Sequence, residues 1–195
     1  DDPLEQLRAA RACARHVQGL ATPLPPRRPV ARERLRIGYV SADFQRHATA
    51  YLMAELFERH DRGRYESFLY SLGRDDGSPT RQRLAAAGDH FVDVQGLPAR
   101  TLAERIRADG IDILVDLKGY TLDARPAVFA HRPAPVQVAY LGFPGTSGAD
   151  FIDYIVGDPQ VTPLAHAAHF SEKIAQLPGC YQCNDGTRPL PSPPA

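Results

Sequence analysis

The sequence predicts a doubly wound α/β protein built on a parallel sheet. Three observations carry this reading. From Arg34 onward, six apolar runs of strand length alternate with helix-patterned segments. Several of these runs are continuously apolar rather than strictly alternating, which is the mark of strands buried on both faces. Strand, helix and strand at this spacing call for right-handed crossovers between parallel strands, with helices on both sides.

The elements follow in order. Residues 4–20 have helical spacing, with Leu4, Leu7, Ala10 or Arg11, Ala14 and Val17 near one face and Gly19 ending the run. The stretch TPLPPRRPVARER holds four prolines and reads as an extended linker, because proline fits neither a helix interior nor a central strand. LRIGYVSA (35–42) is a strand, and 49–60 a helix. YESFLYSLG (65–73) is a strand, followed by a short helix at 80–87. HFVDV (90–94) is a strand, and 99–109 a helix ended by Gly110. IDILVDLKG (111–119) is a strand, then a short helix at 124–131. VQVAYLG (136–142) and DYIVGD (153–158) are the last clear strands. Three units result: a helix and linker (1–33), the α/β domain (34–183), and a proline-rich tail (184–195) that reads as a linker or cut end.

Composition removes several classes of function. At 195 residues the chain suits one domain with a sizeable core. Lysine plus arginine equals aspartate plus glutamate at 23 each, so nothing argues for a dedicated nucleic-acid binder or a polybasic membrane anchor. No apolar run reaches membrane-span length. An odd count of three cysteines makes no disulfide framework and fits a reducing, cytoplasmic setting.

An open parallel sheet binds its ligand beyond the carboxyl ends of its strands, so the loops there hold the candidates. The first, S-A-D-F-Q-R-H-A-T, lacks both the dinucleotide fingerprint and the P-loop. It offers Asp43 and His47, four apart at the start of a helix. The pair reads either as a helix cap beside a solvated histidine or as an acid–base unit. The loop L-G-F-P-G-T-S-G (141–148) is either a turn or a cradle where backbone N–H groups approach a ligand. The loop G-Y-T-L-D-A-R (119–125) carries an aromatic, a hydroxyl and a cation. Arg125 at a helix start opposes the dipole, which calls for a partner to its charge at the site or else a surface salt bridge. Cys180 and Cys183 form a lone C-x-x-C with no second pair, His166 and His169 read as surface, and His90 as packing. No Asp-x-Asp pair is present to clamp a metal-bound sugar nucleotide, and no G-x-S-x-G elbow occurs.

Taken in series, LRIGYVSADFQRHATAYLM, GDHFVDV, GIDILVDLKGYTLDAR, RPAPVQVAYLGFPGTSGADFIDYIVGD and SEKIAQLPGCYQ closely resemble the catalytic region of protein O-GlcNAc transferases, bacterial members more than animal ones. The resemblance covers about residues 34–183. It implies the N-terminal Rossmann-like lobe of a GT-B enzyme, with tetratricopeptide repeats upstream, a second lobe downstream, and residues 1–33 as the junction to the repeats. The implied reaction moves N-acetylglucosamine from UDP-GlcNAc to serine or threonine of an acceptor protein, with inversion and no required metal. It implies His47 as base or sugar-positioning residue and Asp43 as the carboxylate in proton removal. Thr49, Leu141, Gly142 and Pro144 then line the sugar pocket, while Tyr120 and Arg125 lie near the acceptor. Animal members carry lysine where this chain has Leu122, and many relatives carry proline where it has Ala48. Related plant protein O-fucosyltransferases share most of these motifs, so another donor sugar is the first alternative. A non-catalytic scaffold on the same fold is the second.

Overall fold

The computed structural model describes residues 2–28 and 30–188; Asp1, Pro29 and most of the expected tail lie outside the described residues. Seven strands form one sheet: β1 (Leu35–Ser41), β2 (Tyr65–Ser71), β3 (His90–Asp93), β4 (Ile113–Asp116), β5 (Val136–Ala139), β6 (Tyr154–Gly157) and β7 (Lys173–Gln176). The helices are α1 (Pro3–Gly19), α2 (Ala48–Glu58), α3 (Pro79–Ala87), α4 (Ala99–Ala108) and α5 (Pro126–Ala130), with a 3₁₀ helix at Leu164–His169. The strand order is β3-β2-β1-β4-β5-β6-β7, and every pairing is parallel. This is the expected doubly wound sheet. The order reverses between β1 and β4, which is where such a sheet opens its crevice.

The apolar runs alternate between two cores. Val40, Phe68, Tyr70, Leu114 and Ala139 join Leu102, Ile106, Val128 and Phe129 of α4 and α5 on one face. Tyr39, Leu69, Val115 and Val138 join Met53, Phe57 and Leu84 of α2 and α3 on the other. Continuous hydrophobicity along a strand therefore reports two covered faces.

Three expectations change. β7 was not foreseen: KIAQ is short, half polar and at the sheet edge. The strand expected over 111–119 stops at Asp116, because Asp116 turns its carboxylate onto the Lys118 N–H at 2.8 Å and Gly119 takes a φ of 56°. The strand expected over 136–142 stops at Ala139, where Leu141 takes a φ of 64° and Gly142 N–H donates back to the Tyr140 carbonyl at 2.7 Å.

The proline stretch forms neither helix nor strand, yet it is docked. Leu24 is buried, and its N–H reaches the His131 carbonyl. Arg27 and Arg32 converge on Asp112 at 3.2 and 3.4 Å. Helix α1 buries Leu7, Ala10 and Ala14 against the domain. No helix among the described residues is long and apolar enough to cross a membrane.

Candidate active site

Two adjacent strands build the centre of the site. Val40 and Asp116 are register partners in β1 and β4, so the loops after them leave the sheet side by side. The β1 loop is held by its own residues. Asp43 N–H donates to Ser41 Oγ, Phe44 is buried against Phe57, and Arg81 donates to the Phe44 carbonyl. Gly73 lets β2 pass close by, since a Cβ there would meet the Ala42 carbonyl at 2.3 Å.

This frame places Asp43 in the interior at 6% exposure. Its two oxygens are gripped by Lys118 Nζ at 2.9 and 2.7 Å. Lys118 is itself 5% exposed. A carboxylate and an ammonium this deeply buried must be paired, since either alone would carry a large desolvation cost. Lys118 was missed because the sequence places it inside a strand run. Only the Asp116 turn frees its side chain to reach across to β1. Asp116 is buried too, and burial pushes its carboxyl above the usual range, against the bonds from the Lys118 and Gly119 N–H groups.

His47, not Asp43, is the N-cap of α2. Its Nδ1 accepts the Thr49 N–H at 3.2 Å. Asp43 Oδ2 lies 3.5 Å from the same nitrogen. A backbone N–H only donates, so in this arrangement Nδ1 is unprotonated and the neutral ring carries its proton on Nε2. The side chain is 45% exposed, and Nε2 has no partner among the described residues. Thr49 is buried, with its hydroxyl turned to Asp43 at 3.5 Å. His47, Asp43, Thr49 and Lys118 are thus one cluster.

The β5 loop lies against it. A Cβ on Gly142 would sit 2.0 Å from the Leu117 carbonyl and 2.8 Å from Lys118 Cα, so only glycine lets the two loops touch. Leu141 holds its positive φ beside this contact, a strained position for a branched side chain. Beyond Pro144, which is exposed, the loop leaves the crevice. Thr146 Oγ1 donates to Glu172 at 2.7 Å and Ser147 N–H at 2.6 Å; Ser147 Oγ also bonds Glu172. The hydroxyls are therefore spent on a buried carboxylate, and only the L-G-F-P-G half stays at the sheet's carboxyl edge. Helix α1 braces the loop from outside, with the Ala10–Arg11 backbone against Gly148.

Tyr120 joins the two loops. Its hydroxyl donates to the Ser147 carbonyl at 2.6 Å and its ring meets Phe143 edge-on. Burial pushes the phenol up to about 12, which keeps it a donor near neutral pH. Arg125 stands apart. It occupies the N-cap position of α5 without a side-chain capping bond, donates to the Leu97 carbonyl, and lines an open cleft with Gln45, Arg74 and Asp123. Its expected partner is thus a carbonyl, and burial lowers its pKa from the ordinary guanidinium value. Cys180 and Cys183 are free thiols, and the 3₁₀ helix leaves His166 exposed.

Comparison with known proteins agrees with this architecture. The family model described as glycosyl transferase family 41 matches residues 8–191. A probable UDP-N-acetylglucosamine–peptide N-acetylglucosaminyltransferase SEC of Arabidopsis thaliana is 45% identical over 94% of this chain and 20% of its own length. The UDP-N-acetylglucosamine–peptide N-acetylglucosaminyltransferase of Caenorhabditis elegans is 46% identical over 81% of the chain and 14% of its own. The solved structure of a mutant Thermobaculum terrenum O-GlcNAc transferase superposes with a TM-score of 0.86 at 37% identity, over 98% of this chain and 36% of that one. The chain therefore spans a fifth or less of the length of these two sequence relatives. A family match over nearly the whole chain, on the same fold, establishes the point: the chain belongs to glycosyl transferase family 41.

Proposed function

We propose that the chain is the N-terminal catalytic lobe of an inverting protein O-GlcNAc transferase, moving N-acetylglucosamine from UDP-GlcNAc to serine or threonine of acceptor proteins. The observation that carries this is the polar cluster of His47, Asp43, Thr49 and Lys118 at the sheet's switch point, with the 141–144 loop against it. The names printed for the relatives support the donor and the acceptor class. The partial coverage of those relatives is in keeping with a second lobe and upstream repeats elsewhere in the protein.

The chemistry asks for a group to take the hydroxyl proton, donors for the leaving diphosphate, and a surface that holds the sugar. His47 can serve in two ways. With Nδ1 on the Thr49 N–H, its Nε2–H donates to an oxygen in the crevice. With the proton on Nδ1 and aimed at Asp43, Nε2 accepts a proton instead. The second state needs the 3.5 Å gap between Nδ1 and Oδ2 to close. Leu141, Gly142 and Pro144 offer the sugar surface, and Tyr120 and Arg125 border the acceptor side. In this reading the reaction needs no metal, and the setting is cytoplasmic, in keeping with three free thiols.

A donor panel on the whole enzyme tests the proposal. Radiolabel should pass to protein from UDP-GlcNAc, not from GDP-fucose or UDP-glucose, and EDTA should leave the rate unchanged. Transfer from GDP-fucose alone overturns the donor. Loss of rate in EDTA with recovery on adding magnesium overturns the metal-free reading.

A further inference from the structure

We propose that Lys118 is a positioning residue that sets, through Asp43, where His47 carries its proton. Only the consequence for turnover rests on the functional reading above; the coupling itself is a property of this chain.

Two groups compete for His47 Nδ1. The Thr49 N–H, at 3.2 Å, needs a lone pair there. Asp43 Oδ2, at 3.5 Å, needs a proton there. Which one wins depends on how strongly Asp43 attracts a proton. Lys118 Nζ contacts both Asp43 oxygens, and both residues are nearly sealed from water. Their charges offset each other with little solvent screening. The carboxylate's pull on the ring is weakened, and the cap keeps the nitrogen.

The other charges around the ring do not replace Lys118. The first turn of α2 carries no acidic residue. Arg46 is exposed, and its N–H is held by Asp76 in the loop before α3. Asp116 of β4 accepts the Lys118 backbone N–H. The balance at His47 is therefore set by one anion and one cation, Asp43 and Lys118.

Removing the cation leaves a net negative charge beside the ring. The His47–Asp43 couple should then hold its proton to higher pH, and the Nδ1–H form should grow at the expense of the cap. Near neutral pH more of the ring would then be imidazolium, with no nitrogen left to accept, while its neutral fraction would move to the Nδ1–H form whose Nε2 accepts. Removing the anion instead leaves Lys118 unopposed, and the couple should release its proton at lower pH. A purely structural lysine would lower stability without moving either midpoint in a signed way.

Nitrogen-15 NMR of the histidines in this chain, with His47 assigned by its His47→Gln variant, is the test. The wild type should show the Nε2–H tautomer. Lys118→Met should raise the His47 midpoint by about one pH unit, the low end for a charge pair because the ring is half-exposed. Lys118→Arg should keep the midpoint, and Asp43→Asn/Lys118→Met should return it to the wild-type value or below. If Lys118→Met does not fold, Asp43→Asn decides alone, with a lowered midpoint expected. A wild-type ring protonated on Nδ1, or midpoints that do not move, overturn the proposal. In the whole enzyme, the acid limb of kcat/KM should shift with the NMR midpoint; a limb that stays put removes Lys118 from the reaction. If the wild-type enzyme transfers no GlcNAc, the functional reading fails, while the NMR result still decides the coupling.

Discussion

Two buried carboxylates hold the loops around the crevice, and they do different work. Asp43 and Glu172 are about equally buried, at 6% and 5% exposure. Asp43 meets an ammonium and lies beside a titratable ring that opens to solvent. Among the described residues Glu172 meets neutral donors, the hydroxyls of Thr146 and Ser147 and the Ser147 N–H. Neutral donors fix a loop and leave the charge where it is. An ammonium that offsets the charge, next to a group able to gain or lose a proton, makes a centre whose protonation can change. Burial alone would have ranked the two carboxylates together. The identity of the partner separates a staple from the proposed chemical centre.

Stability measurements can break this contrast. The largest loss should follow Glu172→Ala, which strands the buried Thr146 hydroxyl and two donors of Ser147. About 3–4 kcal/mol is expected in urea unfolding, with Glu172→Gln recovering more than half. Gly148→Ala should come next. Its φ of 63° and the 2.4 Å approach of a Cβ to the α1 backbone predict a loss of about 2 kcal/mol, read as faster proteolysis of α1. Asp116→Asn should be a smaller and opposite change. Burial raises the Asp116 carboxyl, so the fold holds that proton more tightly than the unfolded chain does. Its contribution is therefore favourable at low pH and lost as pH rises through the folded value. Asparagine keeps the acceptor for Lys118 N–H without that charge, and should raise the melting temperature at neutral pH more than at acid pH. Asp76→Asn should matter least. Bonds from the Arg46 N–H and Ser78 pull Asp76 down to about 2, so its support is present above the ordinary carboxylate range and fades as pH falls toward 2. Amide exchange at Arg46 and Ser78 should quicken over that acid window in the wild type, and at all pH values in the variant.

Much of the fold was legible because the physics that makes it is local and repetitive. Apolar runs such as IDILVD and helical spacing such as that of 99–108 report burial directly. β7 was not legible, since an edge strand with lysine and glutamine at its ends carries no such pattern. The candidate site was half legible. Asp43 and His47 stand four apart at a strand end, so position alone singled them out. Their roles at the helix start were not, because aspartate is the commoner cap and nothing local shows that Lys118 claims it. Lys118 lies 75 residues away and reaches Asp43 only because β1 and β4 are neighbours. Glu172 was hidden for the same reason, 25 residues from Ser147, with β6 and the connection to β7 between them. The loop 141–148 looked uniform in sequence, and only these contacts divide it into an open half and a stapled half.

The transfer rate of the whole enzyme carrying His47→Ala, measured beside the melting curve of the same variant, tests the central claim most directly. If the Asp43–His47–Lys118 cluster is the chemical centre, the rate from UDP-GlcNAc should fall about 10²–10⁴-fold, the range for a lost acid–base group. The melt should move only by the loss of one helix cap, about 1 kcal/mol. A rate within a few-fold of wild type, or a fall matched by collapse of the melt, would contradict the account and return His47 to the role of a cap.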